Sequence, residues 1–257
     1  MSADTSRWHK WYAGIRQQML SQSFDMPPDK ELYDFFSLHY TANTPRVLKL
    51  PATWPYDDWT MAGIRARAPN AVVQVQMGRE ADPDFELNSP ALRREMPFYD
   101  FLDLIDGKGN DAYMTAQNSA KNTPVLNALL AGLYPLPLGI SSGHNAHLWL
   151  GGQTMTPLHH DLTNNLMAQV MGRKLVRLVS PQYTDSIDYL RHVFSDIKWL
   201  TEEIAAKRGI VFHDVILWPG DALFLPCGWW HCCRALETSA TVLYTTFHWP
   251  NNWTKGF

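Results

Sequence analysis

The sequence has few of the features that mark a secreted, membrane-spanning or nucleic-acid-binding chain. It holds three cysteines in 257 residues, Cys227, Cys232 and Cys233, an odd number with no C-x-x-C pair. A disulfide framework is therefore not expected, and a reducing cytoplasm is the expected compartment. The first twenty residues, MSADTSRWHKWYAGIRQQML, lack the apolar core of a signal peptide. No run approaches the ~18 apolar residues that a membrane span requires. Charged residues make up only 18%, the net charge is −3, and Lys and Arg form no cluster. A nucleic-acid partner thus has no electrostatic support. No low-complexity segment or internal repeat interrupts the chain, which argues against extended disorder.

Apolar residues are plentiful, at 46%, and aromatics reach 12% with eleven Trp, enough for a sizeable core. The length suits one domain over residues 1–257, with a helical N-terminal part over 1–45 and a strand-rich part over 145–250. Trp8, Trp11, Tyr12, Ile15 and Met19 recur at three- and four-residue spacing, the stripe of a helix packed on a core. A second short helix is expected over Asp29–His39. RVLKLPATWP, from Arg46, reads as a strand stopped by prolines, and Ala71–Gly78 alternates with a strand's two-residue period. Ser89–Asn110 reads as one capped helix closed by a Gly-rich turn. Ala112–Gln117 is expected to be a strand, and Thr123–Leu133 a helix ended by Pro135–Gly139. Beyond Asn145 the segments AHLWLGG, TPLHHD, NNLMAQVMG, RKLVRLVSP, DVILWPGDALFLP and ATVLYTTFHW read as short strands. A helical insertion over Thr184–Lys207 is expected among them. Short strands separated by Gly, Pro and Asn indicate a sandwich or barrel.

Within that half, the stretch TMTPLHHDLTNN crowds two histidines and an aspartate together. On a strand, residues i and i+2 share a face, so His159 and Asp161 converge while His160 points away. An imidazole and a carboxylate from one segment, joined by a histidine from another, make a facial site for a non-haem metal with open positions. His231, after the strand DALFLP and the turn PCG, is the candidate third ligand.

TPLHHDLTNNLMAQVMGRKLVRLVSP followed by PGDALFLPCGWWH resembles the JmjC/cupin-like family of Fe(II)- and 2-oxoglutarate-dependent oxygenases. Among these it is most similar to protein hydroxylases such as the asparaginyl hydroxylase that inhibits the hypoxia-inducible factor. The resemblance spans roughly Arg46 to Trp249. It implies a mainly β fold, a double-stranded β-helix (jelly roll, cupin-type) with N-terminal and inserted α-helices. It implies His159, Asp161 and His231 as metal ligands, with Fe(II), 2-oxoglutarate and O2 as the reacting cofactors. Thr156, Lys174 and Tyr113 match residues that hold the distal carboxylate of 2-oxoglutarate, and Asn165 a polar residue beside its metal-binding end. Thr246 stands where that family often has Asn or Ser. Lys174 also alternates with Val176 and Leu178 in an apolar strand, and a buried lysine is costly unless paired, so a ligand's carboxylate is a fitting partner.

The activity that follows is hydroxylation of an amino-acid side chain in a peptide or protein, with release of succinate and CO2. Alternatives in the same class are a free amino acid, a metabolite, a tRNA base, or N-methyl-lysine demethylation. Two rivals from other classes are a Zn or Mn cupin that is not an oxygenase and a binding module with a vestigial barrel. The sequence stops at Phe257, without the C-terminal helices through which some members of that family dimerise, and leaves the oligomeric state open.

Overall fold

Trp8, Trp11, Ile15 and Met19 lie buried on one stripe of helix α1 (Ala3–Ser21), as their spacing predicts. The computed structural model describes residues 3–21, 29–107, 109–115, 120–133, 146–187, 189–249, 251 and 253. The expected proline stop at Pro135–Gly139, the strand end at Gln117 and the terminus at Phe257 lie outside them. After α1 come α2 (Lys30–Phe35), β1 (Arg46–Lys49), α3 (Met61–Arg67), β2 (Val72–Gln76), β3 (Arg93–Pro97) and α4 (Phe98–Ile105). Then follow β4 (Tyr113–Met114), α5 (Thr123–Leu130), β5 (Ala146–Gly151), β6 (Met155–His160), β7 (Asn165–Met171) and β8 (Lys174–Val179). The rest are β9 (Tyr189–Arg191), β10 (Phe194–Ser195), α6 (Glu202–Arg208), β11 (Phe212–Leu217), β12 (Asp221–Leu225), β13 (Trp230–Ala235) and β14 (Ser239–Tyr244).

The strands form two antiparallel sheets, an eight-stranded one ordered β1-β12-β7-β14-β5-β4-β2-β3 and a six-stranded one ordered β11-β8-β13-β6-β10-β9. Alternation sorts their side chains into three layers. Between the sheets, Met167, Leu223, Leu225 and Leu243 meet Val176, Leu178, Leu217 and Cys233. Outside the larger sheet, Leu166, Ala168, Ala222 and Val242 pack with Phe98, Phe101 and Leu102 of α4. Outside the smaller sheet, Leu158, Val179, Trp230 and Cys232 pack under the α1 stripe. This is a jelly-roll sandwich with its helices on the outer faces, the fold class the resemblance implies.

Two expectations differ from what forms. Ser89–Asn110 is not one helix but strand β3 followed by α4, with Pro97 at the junction. A proline cannot donate within a helix and holds its predecessor extended, so Met96 pairs with Val73 of β2 and the helix starts only beyond it. Thr184–Lys207 starts in a 3-10 helix (Pro181–Ser186) and is α-helical only at its end. There α6 is capped by the Thr201 hydroxyl and closed by Gly209 at φ 66°. Before it, β9 and β10 make a hairpin that continues the smaller sheet, with Phe194 opposite His159. The residues after Trp229, for which no element was set out in advance, form a full strand, β13, between β8 and β6.

Candidate metal centre

Strand β6 brings two pocket residues inward by breaking its own alternation. Opposite it, β13 pairs His231 with His159 and Cys233 with Thr156, so one residue of β13, Cys232, faces two of β6, Pro157 and Leu158. This bulge shifts the phase of β6 by one, and Thr156 and His159, three apart, both face the interior. Proline suits such a place because it has no N–H to give the ladder. Leu158 and His160 face outward. His160 is fully buried there, its ring within 4.8–6.1 Å of those of Trp230, Trp11 and Trp8. Burial holds its pKa down at about 3, so it stays neutral.

Asp161 follows directly on β6, in a turn fastened to the one that launches β13. Gly228 N–H donates to the Asp161 carbonyl at 3.1 Å, and Cys227 N–H to Asn164 Oδ1 at 2.8 Å. Gly228 has φ 81°, and a Cβ there would lie 2.8 Å from the Tyr12 ring, so the G of the P-C-G turn serves both backbone and packing. The other motif glycine, Gly220 at φ 93°, makes the P-G-D turn. Asp221 closes that turn by accepting from Trp218 N–H at 3.0 Å and pairing with Lys49, and so is not a ligand.

His159, Asp161 and His231 meet with one ligand atom each, all within 4.8 Å of one another. The His159 Nε2 stands 3.9 Å from Asp161 Oδ1, and the His231 Nε2 3.6 Å from Oδ2. In both rings Nδ1 sits against a backbone carbonyl, at 2.8 Å from Pro157 and 3.1 Å from Trp229. A carbonyl only accepts, so each Nδ1 carries the hydrogen and each Nε2 presents a lone pair to the shared space. Burial lowers His231 well below the usual imidazole range, which keeps it neutral. Burial also raises Asp161, against the opposing pull of His159 and of a hydrogen bond from Asn165. Two imidazole nitrogens and a carboxylate facing one space are the donor set that a divalent first-row metal completes.

The cluster opens into a cavity of about 260 Å³. Of the residues expected around a cosubstrate, Tyr113 and Thr156 line it beside His159 and Asp161. Asn165 donates to the Asp161 carboxylate and accepts from the Thr163 hydroxyl at 3.0 Å, which orients its amide. Lys174 is buried at 3% exposure between the sheets, with its ammonium donating to the Thr241 hydroxyl and 5.7 Å from the face of Trp149. Among the described residues no carboxylate pairs with it, and burial lowers its pKa to about 8. Thr246 is half-buried beyond β14 and does not line the cavity.

Some walls had no signal in the sequence. Phe194, from the hairpin, stacks on the His159 ring at 5.3 Å and 27°. Trp149 of β5 and Glu86 also line the cavity. Glu86 accepts at 2.9 Å from Arg79, which is itself fully buried and donates on to the Asn110 and Met155 carbonyls. An inward-facing residue on alternate strand positions, as Trp149 is, could be anticipated; Glu86 sits in a turn and Phe194 on the two-residue strand β10, too short for a period to place it.

Compared with known proteins, residues 33–252 match the family described as the cupin-like domain. Lysine-specific demethylase 8 of Danio rerio is 36% identical over 104 residues, which covers 37% of this chain and 26% of that protein. Lysine-specific demethylase JMJ30 of Arabidopsis thaliana is 35% identical over 111 residues, covering 40% of this chain and 25% of the relative. The match to tRNA wybutosine-synthesizing protein 5 of Danio rerio is longer, 34% identical over 250 residues, covering 82% of this chain and 71% of the relative. The aligned stretch thus amounts to about a quarter of the length of each of the two demethylases. The jelly-roll sandwich and the extent of the family match together establish that the chain belongs to the cupin-like domain family, with JmjC proteins among its relatives.

Proposed function

We propose that the chain is an Fe(II)- and 2-oxoglutarate-dependent oxygenase that hydroxylates an amino-acid side chain in a peptide or protein. The observation that carries this reading is the convergence of two Nε2 atoms and one carboxylate at a cavity whose neighbouring interior holds a lysine that no carboxylate among the described residues pairs with. In the reaction O2 and 2-oxoglutarate together supply the oxidation: one oxygen atom enters a substrate C–H bond and the other enters succinate as CO2 is lost.

The chain's own residues do the rest. His159, Asp161 and His231 hold the metal, and the Pro157 and Trp229 carbonyls fix their imidazole tautomers. Lys174, with Thr156 and Tyr113, binds the distal carboxylate; Asn165 keeps the Asp161 carboxylate in place. Trp149 and Phe194 wall the cavity and keep bulk water from the reacting atoms. A zinc or manganese cupin with hydrolase or isomerase chemistry has no use for a buried ammonium that no carboxylate among the described residues faces.

The prime substrate is the finer part of the proposal. Two relatives are named for lysine, an amino-acid side chain, which supports a protein substrate. A second reading, oxygenation of a modified tRNA base, is favoured by the long match to the wybutosine-synthesizing protein. The acidic balance weighs against it, because neutralising phosphates takes Lys and Arg that this chain does not cluster. Closeness to the asparaginyl hydroxylase belongs to the proposal alone. The test is to incubate the Fe(II)-loaded protein with 2-oxoglutarate, O2 and either peptide libraries or tRNA, followed by mass spectrometry. One oxygen gained on a side chain supports the reading. Formaldehyde release with loss of a methyl group, or oxygen gained only on tRNA, replaces it with the corresponding alternative.

A further inference from the structure

Gln169 and Thr241 lie side by side on the inward face of the larger sheet, both fully buried, on β7 and β14. The Gln169 Nε2 donates to the Met171 carbonyl at 2.7 Å and the Gly172 carbonyl at 2.9 Å, and lies 2.9 Å from the Ser239 hydroxyl. Two carbonyl acceptors around that nitrogen fix which way the amide points, so its Oε1 faces Thr241. The separation there is 2.8 Å. An amide oxygen only accepts, hence the Thr241 hydroxyl donates its hydrogen to Gln169. What Thr241 turns toward Lys174 is therefore a lone pair, and the ammonium donates to it.

This contact has a fixed direction. Thr241 can take a hydrogen from Lys174 but cannot give one, so it favours the charged lysine over the neutral amine. It engages one of the three ammonium N–H bonds and leaves two for a ligand. Gln169 also grips the Met171 and Gly172 carbonyls of the turn that crosses from β7 to β8 and leads into Lys174, so one amide sets both the backbone and the head of that side chain.

We propose that Thr241, oriented by Gln169, is a positioning residue that holds the Lys174 ammonium ready for the distal carboxylate of 2-oxoglutarate. The proposal rests on the reading of Lys174 as the cosubstrate anchor. It goes further in assigning a role to two residues that touch neither metal nor cosubstrate. Besides Thr241, the groups that face Lys174 among the described residues are the Trp149 ring from β5 and the Cys233 thiol from β13. The thiol is pushed up to about 12 by burial, so it brings no charge near neutral pH. The ammonium, already lowered to about 8, has little other support among the described residues.

The test is calorimetric titration of 2-oxoglutarate into the anaerobic Fe(II)-loaded protein, carried from neutral pH to above pH 9, with melting temperatures alongside. Thr241→Val keeps the shape and removes the acceptor; Thr241→Ser keeps the acceptor; Thr241→Ala stands in should valine not fold. The expected result is a loss of roughly ten-fold in affinity for valine or alanine. Their alkaline fall in affinity should also begin at lower pH than in the wild type, and serine should restore both. Valine and alanine variants that bind like the wild type with the same pH profile overturn the proposal while the anchor reading stands. So does a serine variant as weak as valine. A wild-type protein that takes up no 2-oxoglutarate overturns the anchor reading, and this proposal with it.

Discussion

Lys174→Met separates what the lysine does for the fold from what it does for the ligand, because the two effects have opposite signs. In the ligand-free protein the ammonium is buried against one hydroxyl, and no carboxylate among the described residues pairs with it. Its fall from 10.5 to about 8 places a cost on the order of 3 kcal/mol on the charged form at neutral pH. Methionine has similar length and no charge to desolvate. After allowance for the lost contact with Thr241, the variant should be more stable by about 1–2 kcal/mol. In a chain of this size each kcal/mol raises the melting temperature by about 2–4 °C. The unfolded lysine holds its proton up to about 10.5 whereas the folded one releases it near 8, so wild-type stability rises with pH between these values. The advantage of methionine should therefore shrink over that window. Affinity should move the other way, since a hydrogen bond to a charged group is worth about 1.5–3 kcal/mol, a ten- to hundred-fold loss. Thermal melts of the ligand-free variant and calorimetry with 2-oxoglutarate read the two effects separately. A variant that melts lower than the wild type and binds 2-oxoglutarate equally well would refute the reasoning.

Other expected outcomes concern the metal site and its walls. Asp161→Ala and His231→Ala should each abolish 2-oxoglutarate turnover measured as succinate, whereas His160→Ala should retain much of it, because that ring lies among Trp8, Trp11 and Trp230; equal loss in all three would place His160 in the site. Trp8→Ala should cost about 3–5 kcal/mol in chemical denaturation, as removal of a fully buried aromatic does, and a cost below 1 kcal/mol would mean that α1 is not part of the core. Phe194→Ala should alter turnover of the prime substrate more than 2-oxoglutarate affinity, given its place on the hairpin wall. Shortening the hairpin itself tests the same idea, and an unchanged substrate profile would remove that hairpin from the specificity surface.

Much of the strand framework was legible because each strand of the sandwich buries one face or both. Alternation in Lys174–Val179 and the apolar run of Asp221–Leu225 mark two such strands. The α1 stripe was legible for the same reason at helical period. Thr156 shows where period alone stops. Strict alternation sets it on the face opposite His159, and only the motif, read as a resemblance, put both at one site; the bulge at Pro157–Leu158 reconciles them. The hairpin in Thr184–Lys207 was missed because β9 and β10 are two or three residues long, shorter than any period needs to declare itself. Pro97 was a signal left unused, since a proline there favours a boundary over a continuous helix. Thr241 and Gln169 could not be singled out in advance, because a polar residue on an inward strand position becomes informative only when its partner across the barrel is known.

The proposed activity depends most directly on His159, Asp161 and His231 holding a metal that 2-oxoglutarate also reaches. The measurement is anaerobic addition of Fe(II), then 2-oxoglutarate, to the purified protein while the visible spectrum is recorded. A weak charge-transfer band should appear only when both are present in the wild type, persist in His160→Ala, and be absent in Asp161→Ala and His231→Ala. No band in the wild type, or an undiminished band in Asp161→Ala, would contradict it.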